Sequence, residues 1–213
     1  MSGAFPISSA AFETMGIQSK QNTIISKSLS GKKLSRQIDN QRFGFTARII
    51  VGKRSDIYGE LMAFIIKQRS AKENFTIIPP EVEDARGVET GTLAVNGSHT
   101  AGDTTIAIDG FAADTANRLR TGDFIKFNGH TKIYMVVADV TSSSSAATVT
   151  IEPPLVSALA NDETVSYDNI PFTVHLTNDI QEFGVVGADK DGNLLYQFEL
   201  SLIHISEPTR RLA

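Results

Sequence analysis

Residues 44–69, "GFTARIIVGKRSDIYGELMAFIIKQR", set the frame of the fold. Gly44 to Val51 are rich in aromatic and β-branched side chains and stop at Gly52, the pattern of a strand. The period then changes. Ile57, Leu61 and Ile65, with Tyr58 and Met62, recur at helical spacing, Ser55 can cap the start, Asp56 and Glu60 fall in the first turns, and Lys67 and Arg69 close the dipole. The spacing predicts one α-helix over about residues 55–70, with one apolar face to lay on one sheet. "NFTIIPP", Asn74 to Pro80, is a further strand, stopped by two prolines that cannot continue a ladder. No second long helical period follows.

Downstream the chain reads as strands. "TLAVNGSHTAGDTTIAIDGF" holds two short ones around a Gly/Ser/Thr turn, and "RTGDFIKFNGHTKIYMVVADV" two more around Asn128-Gly129, a dipeptide favoured in tight hairpins. Ala146 to Glu152 makes a fifth, halted by Pro153-Pro154, and "ETVSY" a sixth, while "TSSSSAA" reads as a loop tip. Strands this short and evenly spaced predict a small barrel over residues 86–169, inserted into a body made of 1–85 and 170–199. The body resumes with strands Phe172 to Leu176, Ile180 to Val186 and Leu194 to Leu200, the last two joined by a turn at Lys190-Asp191-Gly192-Asn193, and these are expected to complete one sheet. The fold class is mainly β: a sandwich or split-barrel body with one helix and an inserted β-barrel. "LSLIHISEPTR", Leu200 to Arg210, resembles one frame of a translated sequencing adaptor. Residues 200–213, His204 and Glu207 among them, are therefore set aside as a non-native tail, and the last strand is expected to be truncated.

Composition narrows the function. A chain of 213 residues with 41% hydrophobic content can bury a real core. The absence of cysteine excludes disulfides and thiolate metal sites. Met1 to Ala11 show neither a signal peptide nor a membrane span, so synthesis in the cytoplasm is expected. The net charge of −4 argues against a surface built throughout for polyanions, yet charge is unevenly spread. Between residues 20 and 54 nine lysines and arginines face Asp39 alone. Over 81–115 seven acids face Arg86, and over 139–191 nine acids face Lys190.

Motifs for chemistry fail one by one. "SGKKL" lacks the first glycine and the hydroxyl residue of a phosphate loop, because Ser26 and Lys33 stand there. Asp139 with Asp179, or Glu182 with Asp189, would serve as a glycosidase pair only if the fold brought them together. Asp189, Asp191 and Asn193 resemble a calcium-loop fragment, but Leu200 stands where its bidentate acid belongs, so a hairpin turn is expected. His99, His130 and His175 show no metal-ligand spacing, and no serine sits in a nucleophile elbow. No enzymatic activity and no cofactor are expected.

Two uses of the basic segment remain. Basic residues interleaved with Phe43 and Phe45 are ingredients of a single-stranded nucleic-acid binder acting through residues 20–54. The alternative is assembly: Lys27, Lys32, Lys33, Arg36, Arg42 and Arg48 of one copy would meet acids such as Asp179 and Glu182 of the next, head to tail. The second reading accounts for both the basic and the acidic segments.

"FPIS", "SLSGKKLSRQ", "NQRFGF", "FTIIPP", "KIYMV", "IEPPL" and "NDIQEFGV" together resemble the distal tail proteins and tail-tube initiators of tailed bacteriophages. The chain departs from that pattern at Asp39-Asn40, where relatives often carry glycines. The resemblance implies a virion protein whose β body joins edge to edge around a ring, commonly sixfold, with DNA only as passing cargo in the channel. Its partners would be further copies of itself, the tail tube and baseplate or tail-tip proteins, with no membrane involved. The arm at residues 20–42 would reach a neighbouring subunit, the insertion would face outward, and acids on the returning strands would line the channel.

Overall fold

The computed structural model describes residues 3–7, 11–37, 41–80 and 82–205. The chain divides into two compact units: the stretch up to Pro80 together with Pro171–Ile205, and the stretch between them up to Ile170. In chain order the first unit holds β1 (Phe12–Lys20), β2 (Thr23–Lys27), β3 (Lys33–Gln37), β4 (Arg42–Ile49), β5 (Gly52–Lys53), α1 (Gly59–Lys67) and β6 (Phe75–Ile77). The second unit holds β7 (Leu93–Val95), β8 (Thr105–Asp109), β9 (Phe124–Phe127), β10 (Ile133–Val136), β11 (Ala146–Glu152) and β12 (Thr164–Ser166). The first resumes with β13 (Phe172–Leu176), β14 (Gly184–Ala188), β15 (Leu194–Gln197) and β16 (Glu199–His204). The protein is mainly β, with a single α-helix among the described residues and a closed barrel.

In the first unit an antiparallel sheet runs β1-β4-β16-β13-β6. Strand alternation sends Phe43, Phe45, Ala47 and Ile49 of β4 to one face, beside Leu200 and Leu202 of β16 and Phe172 and Val174 of β13, and all of these are buried. Phe45 meets Phe172 edge to face with ring centroids 5.1 Å apart. Helix α1 buries Leu61 and Ile65, and Phe64 stands edge-on to Phe75 of β6.

The helix begins differently from its sequence pattern. Arg54–Tyr58 form a π-helical turn, so Ser55 lies inside it and its Oγ donates to Asp56 Oδ1 (2.9 Å) instead of capping. Gly59 makes the wide turn possible: its N–H bonds the Arg54 carbonyl, and a Cβ there would lie 2.7 Å from that oxygen. Tyr58, fully buried, donates its hydroxyl to Ile50 O at 3.0 Å.

The returning strands divide between two sheets, against the expectation of one. Strand β13 joins the main sheet, whereas β14 and β15 form a separate sheet in the order β14-β15-β5. Lys53 Nζ on β5 contacts Asp189 Oδ2 at 2.5 Å, and Asp189 Oδ1 accepts the N–H groups of Asp191 and Asn193, which closes the turn between β14 and β15. The segment read as one strand from Leu194 to Leu200 breaks at Phe198. That ring stacks on Phe183 at 4.8 Å, and the Phe198 carbonyl accepts Ile49 N–H, passing the chain from the small sheet to the large one. Residues 200–204, expected from the sequence to be non-native tail, belong to β16, the strand between β4 and β13, with Leu200, Leu202 and His204 buried. Strand β1 carries no sequence prediction, because only Phe12 and Met15 are even half-buried along it.

The six strands of the second unit close in the order β10-β11-β8-β7-β12-β9 around Leu93, Val95, Ile106, Ile108, Val149, Ile151 and Val165. Closure brings backbones very near one another at Gly110, which has φ +85° and where a Cβ would lie 2.1 Å from the Thr92 carbonyl oxygen. Gly110→Ala should therefore destabilise the barrel by about 2–3 kcal/mol, read as faster amide exchange in β7 and β8 with the rates of the first unit unchanged.

Candidate assembly surface

The basic arm folds as an exposed hairpin. Strands β2 and β3 pair with each other in a sheet of their own, and every residue of both is exposed. The turn is closed by Ser28 N–H donating to Lys32 O (3.0 Å), Gly31 N–H donating to Ser28 O (2.9 Å) and Lys32 N–H donating to Ser28 Oγ (3.1 Å). Register places Lys27 directly opposite Lys33, and Ile24 opposite Arg36. Like charges directly across a ladder destabilise it, and Lys32 adds a third cation beside them. Ile24, Ile25 and Leu34 remain more than half exposed and Leu29 is fully exposed at the tip. An isolated two-stranded hairpin is marginal in water, and among the described residues no third strand joins this one.

The other predicted interface residues are placed less uniformly. Arg42 stands half-buried at the start of β4, opposite Lys20 of β1. Arg48 is engaged within its own chain: Nη2 donates to Gln197 Oε1 (2.5 Å), and Nε lies 3.5 Å from Glu13 and 3.7 Å from Glu199. Asp179 and Glu182 line a groove of about 790 Å³ with Asn178, Ile180, Val186 and Glu199. Ser70 Oγ donates to Asp179 Oδ1 (2.6 Å) and Gln181 Nε2 to the Asn178 carbonyl (2.5 Å), which pins the lip of this groove. A second groove of about 620 Å³ continues from it, sharing Asn178 and Glu199. The groove acids are thus on the 177–182 loop and at the start of β16, and Asp189 and Asp191 are in a turn, so the returning acids do not form one row along a sheet face. Asp39 and Asn40 lie outside the described residues.

The residues weighed for chemistry serve local structure. Asp139 and Asp179 belong to different units. Asp139 accepts the N–H and hydroxyl of Thr121, and these bonds hold its carboxyl below the usual range. His99 Nε2 accepts Ala107 N–H (3.1 Å), and burial, then Arg42, lower the pKa of His175. Among the described residues no three His, Asp or Glu side chains converge as a metal site requires. One contact escapes sequence reading: His130 Nε2 lies 2.8 Å from Ser157 Oγ and its Nδ1 2.9 Å from Tyr134 Oη. Burial pushes the Tyr134 phenol up to about 12, so it stays protonated. The Tyr134 oxygen also accepts Val156 N–H (3.3 Å), so Tyr134, His130 and Ser157 form one connected local clasp. No helix among the described residues is long and apolar enough to cross a membrane.

No protein-family model matches the chain, and no curated protein matches it.

Proposed function

We propose that the protein is a ring-forming structural component at the distal end of a phage tail, joining the tail tube to the baseplate or tail tip. The observation that carries this reading is the hairpin β2–β3, an element with apolar residues on both faces and three lysines at its tip that is exposed along its whole length and joins no other strand among the described residues. Such an element belongs to a neighbour. A second support is the outer edge of β1: nine residues long, without proline, and with β4 as its one strand partner among the described residues, it offers an edge to another chain. The virion assignment itself rests on the sequence resemblance.

Single-stranded nucleic-acid binding is the weaker reading. The hairpin carries no aromatic residue on which a base could stack, and over residues 82–170 the barrel unit has five lysines and arginines against twelve acids. The test is the mass of the soluble particle by light scattering coupled to size exclusion, at low and high salt. A closed ring, sixfold as in the family it resembles, that loosens as salt screens the lysines is the expected result. A strict monomer at every concentration and salt would overturn the reading.

A further inference from the structure

Resting on that ring reading, we infer that the tip of hairpin β2–β3 of one copy docks into the Asp179–Glu182 groove of the next, so that the ring is closed by one repeated head-to-tail contact. Three observations select this occupant. Lys27 and Lys33 face each other across the hairpin, with Lys32 in the adjoining turn, so the tip holds three exposed cations that a neighbouring carboxylate would relieve. The groove presents such carboxylates: Asp179, fixed by Ser70, with Glu182 and the largely exposed Glu199 beside it. Apolar surface matches as well, since Leu29 and Leu34 of the hairpin stand fully or half in water and Ile180 and Val186 of the groove do the same.

The charges also exclude the nearest alternatives. Two hairpins do not pair tip to tip, because both tips are cationic, and a reciprocal exchange of hairpins between two copies would stop at a dimer, which the assembly mass distinguishes from a ring. The contact joins two different surfaces of one chain, the arrangement that generates rings when its rotation closes. A nucleic-acid backbone would satisfy the lysines but would leave Ile24, Ile25, Leu29 and Leu34 uncovered. At about 790 Å³ the groove is in the size range of clefts that enclose small ligands, enough for the side chains of a hairpin tip.

The test exchanges charge across the contact and reads assembly mass at low salt. Lys27→Glu with Lys33→Glu, and separately Asp179→Lys with Glu182→Lys, should each weaken assembly by at least about 100-fold, since like charges opposed across an interface are strongly repulsive. The chain carrying all four substitutions should recover to within about tenfold of the unmodified protein. All four positions are exposed, so far-UV circular dichroism should be unchanged throughout. The chain has no cysteine, so Lys33→Cys combined with Glu182→Cys gives a second reading: under oxidation the double variant should form a ladder of covalent oligomers, and each single variant none beyond a dimer. Reversed variants that assemble like the unmodified chain, or a fourfold variant that does not recover, would overturn the docking while leaving the ring in place. An unmodified chain that stays monomeric overturns both. If that monomer instead binds an oligonucleotide through Lys27 and Lys33, the tip belongs to nucleic acid.

Discussion

Glu89→Ala is expected to cost the barrel about 3–5 kcal/mol, the range for breaking a buried ion pair by removing one partner. Glu89 is fully enclosed and Arg118 nearly so, with Arg118 Nε donating to Glu89 Oε2 at 2.7 Å. The other carboxylate oxygen accepts the N–H groups of Thr90 (2.9 Å), Gly91 (2.5 Å) and Ala112 (3.1 Å). Alanine leaves a guanidinium without its counter-charge and three N–H groups without their acceptor. Adding Arg118→Met removes the stranded charge but not the stranded donors, so it should return only part of the loss. Urea denaturation followed by amide exchange in β7 and β8 reads the effect in this unit; a loss below about 1 kcal/mol would mean that water reaches the pair.

The same carboxyl makes the barrel acid-sensitive. Burial alone would raise the Glu89 pKa, but Arg118 and the N–H groups of Gly91, Ala112 and Thr90 outweigh it and hold the value at about 2, against an ordinary 4.5. A carboxyl whose pKa is depressed on folding stabilises the fold fully above its unfolded value. That contribution, about 3 kcal/mol by linkage, is lost as pH falls from 4.5 toward 2. In Glu89→Ala the dependence of stability on pH across that window should flatten correspondingly.

What the sequence revealed follows how each strand is buried. The barrel strands are legible because inward residues alternate with polar ones and the turns carry Gly, Asn and Pro; the strand expected at Ala146 to Glu152 is β11 at those residues. Strand β1 has no such signature, since most of it faces water. The basic charge of residues 20–42 was plain, but its shape was not: the Ser28–Lys32 turn that folds it back is held by backbone bonds and one serine hydroxyl, which leave no hydrophobic period. Asp179 and Glu182 were readable as acids, yet their groove depends on Gln197 and Glu199, which arrive 15 to 20 residues further along the chain. The His130–Ser157 clasp is hidden for the same reason, as its partners lie 27 residues apart.

Ending the chain at Glu199 should abolish the fold of the first unit. Strand β16 lies between β4 and β13, so its removal strips ladder bonds from both and turns two interior strands into edges. Leu200 and Leu202 are buried against the register partners Ala47 and Phe45, and losing their burial costs about 3–6 kcal/mol before any hydrogen bond is counted. His204 packs edge-on to Phe172 at 5.4 Å, and its Nδ1 lies 2.9 Å from the Thr173 carbonyl. Together these approach the whole stability of an ordinary domain. The newly opened β4 edge would also expose Phe43 and Phe45, so aggregation is the expected fate of the truncated chain. The control ends at Ile205 and keeps all of β16. Circular dichroism of the two chains, with amide exchange in β4 and β13, decides the point: if the chain ending at Glu199 keeps slow exchange in β4, another segment has taken the place of β16 and the sheet order given above is wrong.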